Sequence, residues 1–219
     1  CSIYAACEAH GPLVADEYEK LIDLDPDGHR HMRALGRDLL PPHAGGLSAI
    51  ELEARRAAVR TAELWGAGAY AWVYFDALAL EHRALDLLDA EFFAEGLRDI
   101  VARKRDQHII NMIAAFCAIT MAPPSDGPGL SARAEGARAH LHECLDWILQ
   151  DHLQERHPLI WSQALLSPGR SPLMPSNRAL VRKGRQTALR IIAERFASDI
   201  ADGSSIAFSP AGMYRLPAL

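Results

Sequence analysis

The sequence is short of lysine, of paired cysteine and of any stretch suited to crossing a membrane, and each shortage closes off a class of function. Lys20, Lys104 and Lys183 are the only lysines among 23 basic residues, and 28 acidic residues bring the formal charge to −5. A protein whose main task is to coat nucleic acid needs a positive surface to neutralise phosphates, so that task is excluded. The four cysteines, Cys1, Cys7, Cys117 and Cys144, show neither CxxC spacing nor the density of a disulfide scaffold. Cys117 and Cys144 lie among apolar residues, where a free thiol behaves as a small hydrophobe; a reducing, cytoplasmic compartment is expected. A chain opening on Cys1 also matches a mature lipoprotein, but the SIYAACEAH that follows is apolar and helix-like, unlike the polar tether usual for a lipid-anchored domain. The longest uncharged runs are 64–75 and 107–125, and the second contains Gln107, His108, Asn111 and Thr120 and ends in Pro123 and Pro124. Neither reads as a spanning helix of ~20 residues. There is no P-loop, no strand-linked G-x-G-x-x-G, no G-x-S-x-G and no zinc-spaced Cys/His set.

What is present is helical. An apolar share of 49% with 23% charged residues is that of a chain that folds on its own core. Helices are expected over 12–24, over 26–40 with Asp25 as cap and Pro26 in the first turn, and from 49 onward, where Ser48 and Glu51 match a capping box. PPHAGG at 41–46 separates the last two. Apolar positions 50, 54, 57, 58, 62, 65, 69 and 72 keep the 3.6-residue period past Gly66 and Gly68, which either kink the helix or let a neighbour approach. Tyr70, Trp72 and Tyr74 alternate with small residues as in a strand, yet Ala, Leu and Glu dominate both flanks and no partner strand follows, so helix is expected. Further helices are expected over 91–122 and 131–156, briefly after Pro158, and over 178–202; PPSDGPG at 123–129 and SPGRSPLMPSN at 167–177 are loops and 203–219 an extended tail. The fold class is therefore all-α: a single domain over 1–219, an antiparallel bundle of about six to eight helices with two central apolar ones. Segment 1–25 and the tail are expected to pack on it.

Three features carry candidate chemistry. Asp76 is the one carboxylate in a run otherwise uncharged from Leu64 to Leu80. Burying it unpaired costs several kcal/mol. Arg83, seven residues on, falls within about 20° of it on a helical wheel, and an arginine from another helix is the alternative partner. Set among Trp65, Tyr70, Trp72 and Tyr74, Asp76 also reads as a group that orients a bound small molecule or cofactor in an apolar pocket. The second feature is a pair of equal spacings, His82–Asp86 and His142–Asp146, which on α-helices place both side chains of a pair on one face. Two facing helices then offer a metal two imidazoles and two carboxylates, with His108, Glu143 and His152 nearby, and iron or manganese is the metal such a set would take. In this reading Asp76 and His108 are the catalytic groups and the chemistry is that of an oxidoreductase or oxygenase.

In size and class the chain is similar to hemerythrin-like and heme-oxygenase-like helical metal proteins. Glu-x-x-His and His-x-x-x-His are both absent, so the likeness extends to architecture alone. Arg103 and His108 keep the Arg-x4-His spacing of HEPN-type ribonucleases, with Lys104 where Asn, Asp or His is usual. The third feature is the last helix, where Arg178, Arg182 and Arg185 share a face with Lys183 beside them, and the apolar tail SSIAFSPAGMYRLPAL. Together they describe the competing class, a non-catalytic accessory protein that binds a protein partner or a second copy of itself.

Overall fold

The computed structural model describes residues 11–41, 46–123, 129–163 and 176–217. They are predominantly helical. In chain order the helices are α1 (Gly11–Leu24), α2 (His29–Asp38), α3 (Leu47–Arg60), α4 (Ala62–Trp65), α5 (Gly68–Leu80) and α6 (Ala90–Arg103). They continue as α7 (Gln107–Ala115), α8 (Ala132–Glu143), α9 (Leu145–Trp147), α10 (Pro158–Gln163), α11 (Asn177–Arg195) and α12 (Ala197–Ala201), before strands β1 (Ser205–Ser209) and β2 (Gly212–Leu216). No helix among the described residues is long and apolar enough to cross a membrane. The chain divides into two compact units, residues 1–103 with 123–140 and residues 104–122 with 141–219.

The first unit is built around α5. Ten of its thirteen residues are buried, and a helix apolar all round belongs at the centre of its neighbours; α2, α3 and α6 surround it. The alternation of Tyr70, Trp72 and Tyr74 carries no strand information, because residues 68–75, two full turns of α5, are buried on every side. A Cβ on Gly36 of α2 would lie 1.8 Å from the Val73 carbonyl oxygen, so glycine is what lets these two backbones meet. Gly66, at φ 56°, separates α4 from α5.

Several expected boundaries move. Asp25 caps no helix: its carboxylate sits 3.3 Å from both Arg30 and His31, and α2 starts at His29. The Ser48–Glu51 capping box does not form, because α3 starts after Gly46 at φ 76° and Glu51 is drawn into tertiary bonds instead. The helix expected over 91–122 is broken at 104–106, where the Asp106 side chain accepts from His108 N at 2.7 Å and starts α7.

The second unit contains two π-helical turns, Phe116–Thr120 after α7 and Ile148–His152 after α9. Such turns are rare. The helix expected to run to 156 thus ends at His152, and the extended segment beyond it is held by two side chains of α7. Gln107 Nε2 donates to His152 O at 3.0 Å, and Gln107 Oε1 accepts from Gln154 N at 2.9 Å. Asn111 Nδ2 donates to Glu155 O and to Gln107 O, while Asn111 Oδ1 accepts from His157 N and from Trp161 Nε1. The last helix divides at Phe196 into α11 and α12, and the tail is not simply extended: β1 and β2 pair antiparallel with Ser205 opposite Leu216. Cys1, Cys7 and most of the expected loop at 167–177 lie outside the described residues, as do parts of the two Pro/Gly-rich breakers.

Candidate functional site

Asp76 is clamped by a guanidinium, but not the one nearest in sequence. Arg33 of α2 donates to Asp76 Oδ1 from Nη2 at 2.7 Å and from Nε at 3.1 Å, and its guanidinium lies 5.1 Å from the centre of the Phe75 ring. Arg83 is turned away by the 3₁₀ turn His82–Asp86 and grips Glu81 instead, at 2.7 and 3.0 Å. That pairing holds the Glu81 carboxyl below its usual range. The expected ligand-facing aromatics serve two different ends. Trp65 Nε1 donates to Pro26 O at 2.8 Å, and Trp72 is fully buried with its ring 4.5 Å from that of His29. The Trp72 Nε1 hydrogen has no hydrogen-bond acceptor among the described residues. Tyr70 and Tyr74 instead send both hydroxyls to one carboxylate oxygen, Glu51 Oε2, at 2.7 and 2.8 Å.

The expected metal set divides between the two units: His82 and Asp86 in the first, His142 and Asp146 in the second. His82 and Asp86 lie on a 3₁₀ turn, where a four-residue step rotates the side chain by about 120° rather than returning it to the same face. His82 is exposed, and Asp86 accepts from the Ser131 hydroxyl. Asp146 is taken up at both oxygens by Arg195. His142 Nδ1 lies 2.8 Å from Cys117 O; a carbonyl only accepts, so Nδ1 is the donor. His108 is exposed, its ring centre 6.1 Å from that of His157, and Glu143 is exposed. His152 packs edge-on to Trp147, and burial pushes its pKa below the usual value. Among the described residues no group of three or more His, Cys, Asp or Glu side chains is arranged to hold a metal ion. Arg103 and His108 do not share a helix, since 104–106 intervenes, and Arg103 donates to Glu63 O at 2.9 Å.

The polar groups that do converge lie elsewhere in the first unit, under a cleft of about 500 Å³ lined by α3, the turn 87–91 and α8. Its floor is a closed network. Arg55 donates from Nε to Glu51 Oε1 and from Nη2 to Asp89 Oδ2, both at 2.8 Å. Tyr70, which donates to Glu51, accepts from Asp89 N at 2.9 Å. Asp89 Oδ1 accepts from Phe92 N at 3.1 Å in the first turn of α6. The guanidinium also lies over the Tyr70 and Phe92 rings, 5.2 and 5.1 Å from their centres. Arg55 beside it, and then the Phe92 N–H, hold the Asp89 carboxyl below its usual range. Burial, and then the hydroxyl bonds to Glu51, push Tyr70 far above the usual phenol value; in Tyr74 burial again leads, followed by the charge of Tyr70. Both hydroxyls are therefore fixed donors at neutral pH. From α8, Arg133 reaches Leu88 O at 3.5 Å and His140 Nε2 lies 3.5 Å from Glu91.

Tyr70 and Tyr74 were expected at a site; Glu51, Arg55, Asp89, Arg133 and His140 were not. The signals for them are local. Glu51 and Arg55 are an i,i+4 pair, Asp89 directly precedes a helix, and Arg133, Ala137 and His140 recur at four- and three-residue steps on one face of α8. The arginines of α11, Arg178, Arg182 and Arg185, are exposed together with Lys183. Comparison of the chain with protein families, with curated proteins and with solved structures returns no match.

Proposed function

We propose that this is a helical small-molecule-binding protein and that its site is the cleft over Glu51, Arg55 and Asp89. One observation carries the reading: the polar groups lining the cleft are held in place by bonds to one another, to the Tyr70 and Tyr74 hydroxyls and to the Phe92 backbone N–H. Glu51 receives three donors, Arg55 is fixed between two carboxylates and stacked on two rings, and Tyr70 both accepts and donates. A volume of about 500 Å³ falls within the range of ligand sites, which combine apolar walls with a few fixed polar groups. Leu87, Leu88, Ala132 and Ala137 supply the walls. Polar groups held in place before the ligand arrives reduce the ordering cost of binding. In this reading the small-molecule site expected from the sequence sits at the edge of the first unit rather than at His82, His108 and His142.

The test is a fragment screen followed by amide chemical shifts of the isotopically labelled protein. Binding fragments are expected to move the resonances of residues 87–91 and 132–140 together. Fragments that bind only elsewhere, leaving those resonances still, overturn the reading.

A further inference from the structure

The lining of the cleft carries both signs of charge, and this sets the class of its ligand; the argument rests on the cleft being the binding site. Glu51, Asp89 and Glu91 line it together with Arg55, Arg133 and His140. Of the five N–H groups of Arg55, one on Nε and one on Nη2 are committed to Glu51 and Asp89. Nη1 makes no hydrogen bond among the described residues. Arg133 turns one N–H toward Leu88 O at 3.5 Å, the long limit of a hydrogen bond, and leaves the rest of its fork open. On the acceptor side, Asp89 has one donor on each oxygen where each accepts two. Glu91 stands at the rim with its side chain 83% exposed.

A simple anion finds donors here but also three carboxylates against two guanidinium groups. A simple cation finds acceptors but must sit between Arg55 and Arg133. A molecule with a carboxylate and an ammonium a few bonds apart satisfies both sets without leaving a like charge buried. We infer that the cleft binds a small zwitterion of the amino-acid class, its carboxylate on Arg133 and Arg55 Nη1, its ammonium toward Asp89 and Glu91, and an apolar side chain against Leu87, Leu88 and Ala137.

The experiment titrates the labelled protein with each standard amino acid. The tightest is then compared with its two single-charge analogues, the carboxylic acid lacking the amine and the amine lacking the carboxylate; for leucine these are 4-methylpentanoate and isopentylamine. The zwitterion is expected to bind at least tenfold more tightly than either analogue, with shifts at residues 87–91 and 132–140. Arg133→Gln is expected to weaken the zwitterion and the carboxylate tenfold or more while the amine binds at least as tightly as it does to the parent, with an unaltered far-UV spectrum because Arg133 makes only one long internal bond. If an analogue binds in the cleft as tightly as the zwitterion, or only uncharged fragments bind there, the inference falls and the cleft stands. If no probe of any charge moves the cleft resonances, both fall.

Discussion

Replacing Asn111 with leucine removes a small polar group whose hydrogen-bonding capacity is used in full. Asn111 is completely buried. Its two amide hydrogens go to Gln107 O at 2.7 Å and Glu155 O at 2.9 Å, and its oxygen accepts from His157 N and Trp161 Nε1, both at 2.9 Å. Leucine has the same branched skeleton and number of side-chain heavy atoms, so no cavity is left and the cost is chiefly that of the partners left behind, with any crowding by its bulkier methyl groups adding to it. A buried donor or acceptor stranded in this way costs about 1–3 kcal/mol. Trp161 is itself fully buried and its N–H has nowhere else to turn, whereas the Glu155 and His157 backbone groups lie nearer the surface, where water reaches them. Taking the indole N–H near the top of that range and the two backbone groups near the bottom, the loss is about 3–5 kcal/mol. The assay is urea unfolding followed by far-UV circular dichroism, which stays comparable when tryptophans are changed. The reasoning also fixes a second number: Asn111→Leu combined with Trp161→Phe removes the stranded donor with its acceptor, so the double variant should be less destabilised than the two single losses added together, by about 1–2 kcal/mol. A loss below about 1 kcal/mol in Asn111→Leu, or strict additivity in the pair, would refute the view that this side chain ties the segment after His152 to α7.

Gly184→Ala should destabilise despite the better helix propensity of alanine: the gain is about 1 kcal/mol at most, but the added Cβ would stand 1.8 Å from Pro158 O, a backbone clash costing about 1–3 kcal/mol or more. A Tm equal to or above that of the parent would sink this. Burial, the leading cause, raises the pKa of Glu53 against the opposing charge of Arg56. A raised folded value means that stability is greatest with the carboxyl protonated and is lost as pH rises through that value, so Glu53→Gln should gain stability relative to the parent at pH 7 more than at pH 4; an equal effect at both refutes it. Asp89 and His152 are depressed instead, by Arg55 and by burial respectively. Each contributes stability that is present above its unfolded pKa and lost as pH falls through the folded one, so the parent should weaken first below about pH 6.5 through His152 and again below about pH 3.9 through Asp89. Thermal melts across pH should show His152→Gln lacking the first slope and Asp89→Asn the second, and unchanged slopes in these variants would contradict the assignments.

The helical class, the enclosed α5 and the places where the chain must turn were legible because each depends on neighbours in sequence: the apolar period, the Pro/Gly clusters and the amphipathic faces. The networks were not, because their partners lie far apart. Glu51 meets Tyr70 across 19 positions and Asn111 meets Trp161 across 50. At Glu51 the local rule gave a specific and different answer. Ser48 and Glu51 have the spacing of a capping box, but two phenol hydroxyls and a guanidinium offer the same carboxylate three charge-assisted or buried bonds. Such bonds outweigh one exposed backbone N–H, whose capping contributes about 1 kcal/mol. Gly46 at positive φ then starts the helix with no side-chain cap at all.

Spacing arguments fail in a second way when the helix type changes beneath them. His82 and Asp86 share a face only at 3.6 residues per turn, and the turn they occupy has three. His142 and Asp146 span the gap between α8 and α9, and the carboxylate is claimed by Arg195 from 49 positions away. The same competition settles Asp76, where Arg33 rather than the sequence-near Arg83 supplies the charge. Asp76 and Asp146 are each met by an arginine from a distant part of the chain, whereas Asp86 accepts from the Ser131 hydroxyl. With twenty arginines against three lysines, a carboxylate in an apolar stretch of this sequence is evidence first for a guanidinium partner. Only a site such as the one over Asp89, where a guanidinium is present and still has N–H groups to spare, leaves chemistry for a ligand.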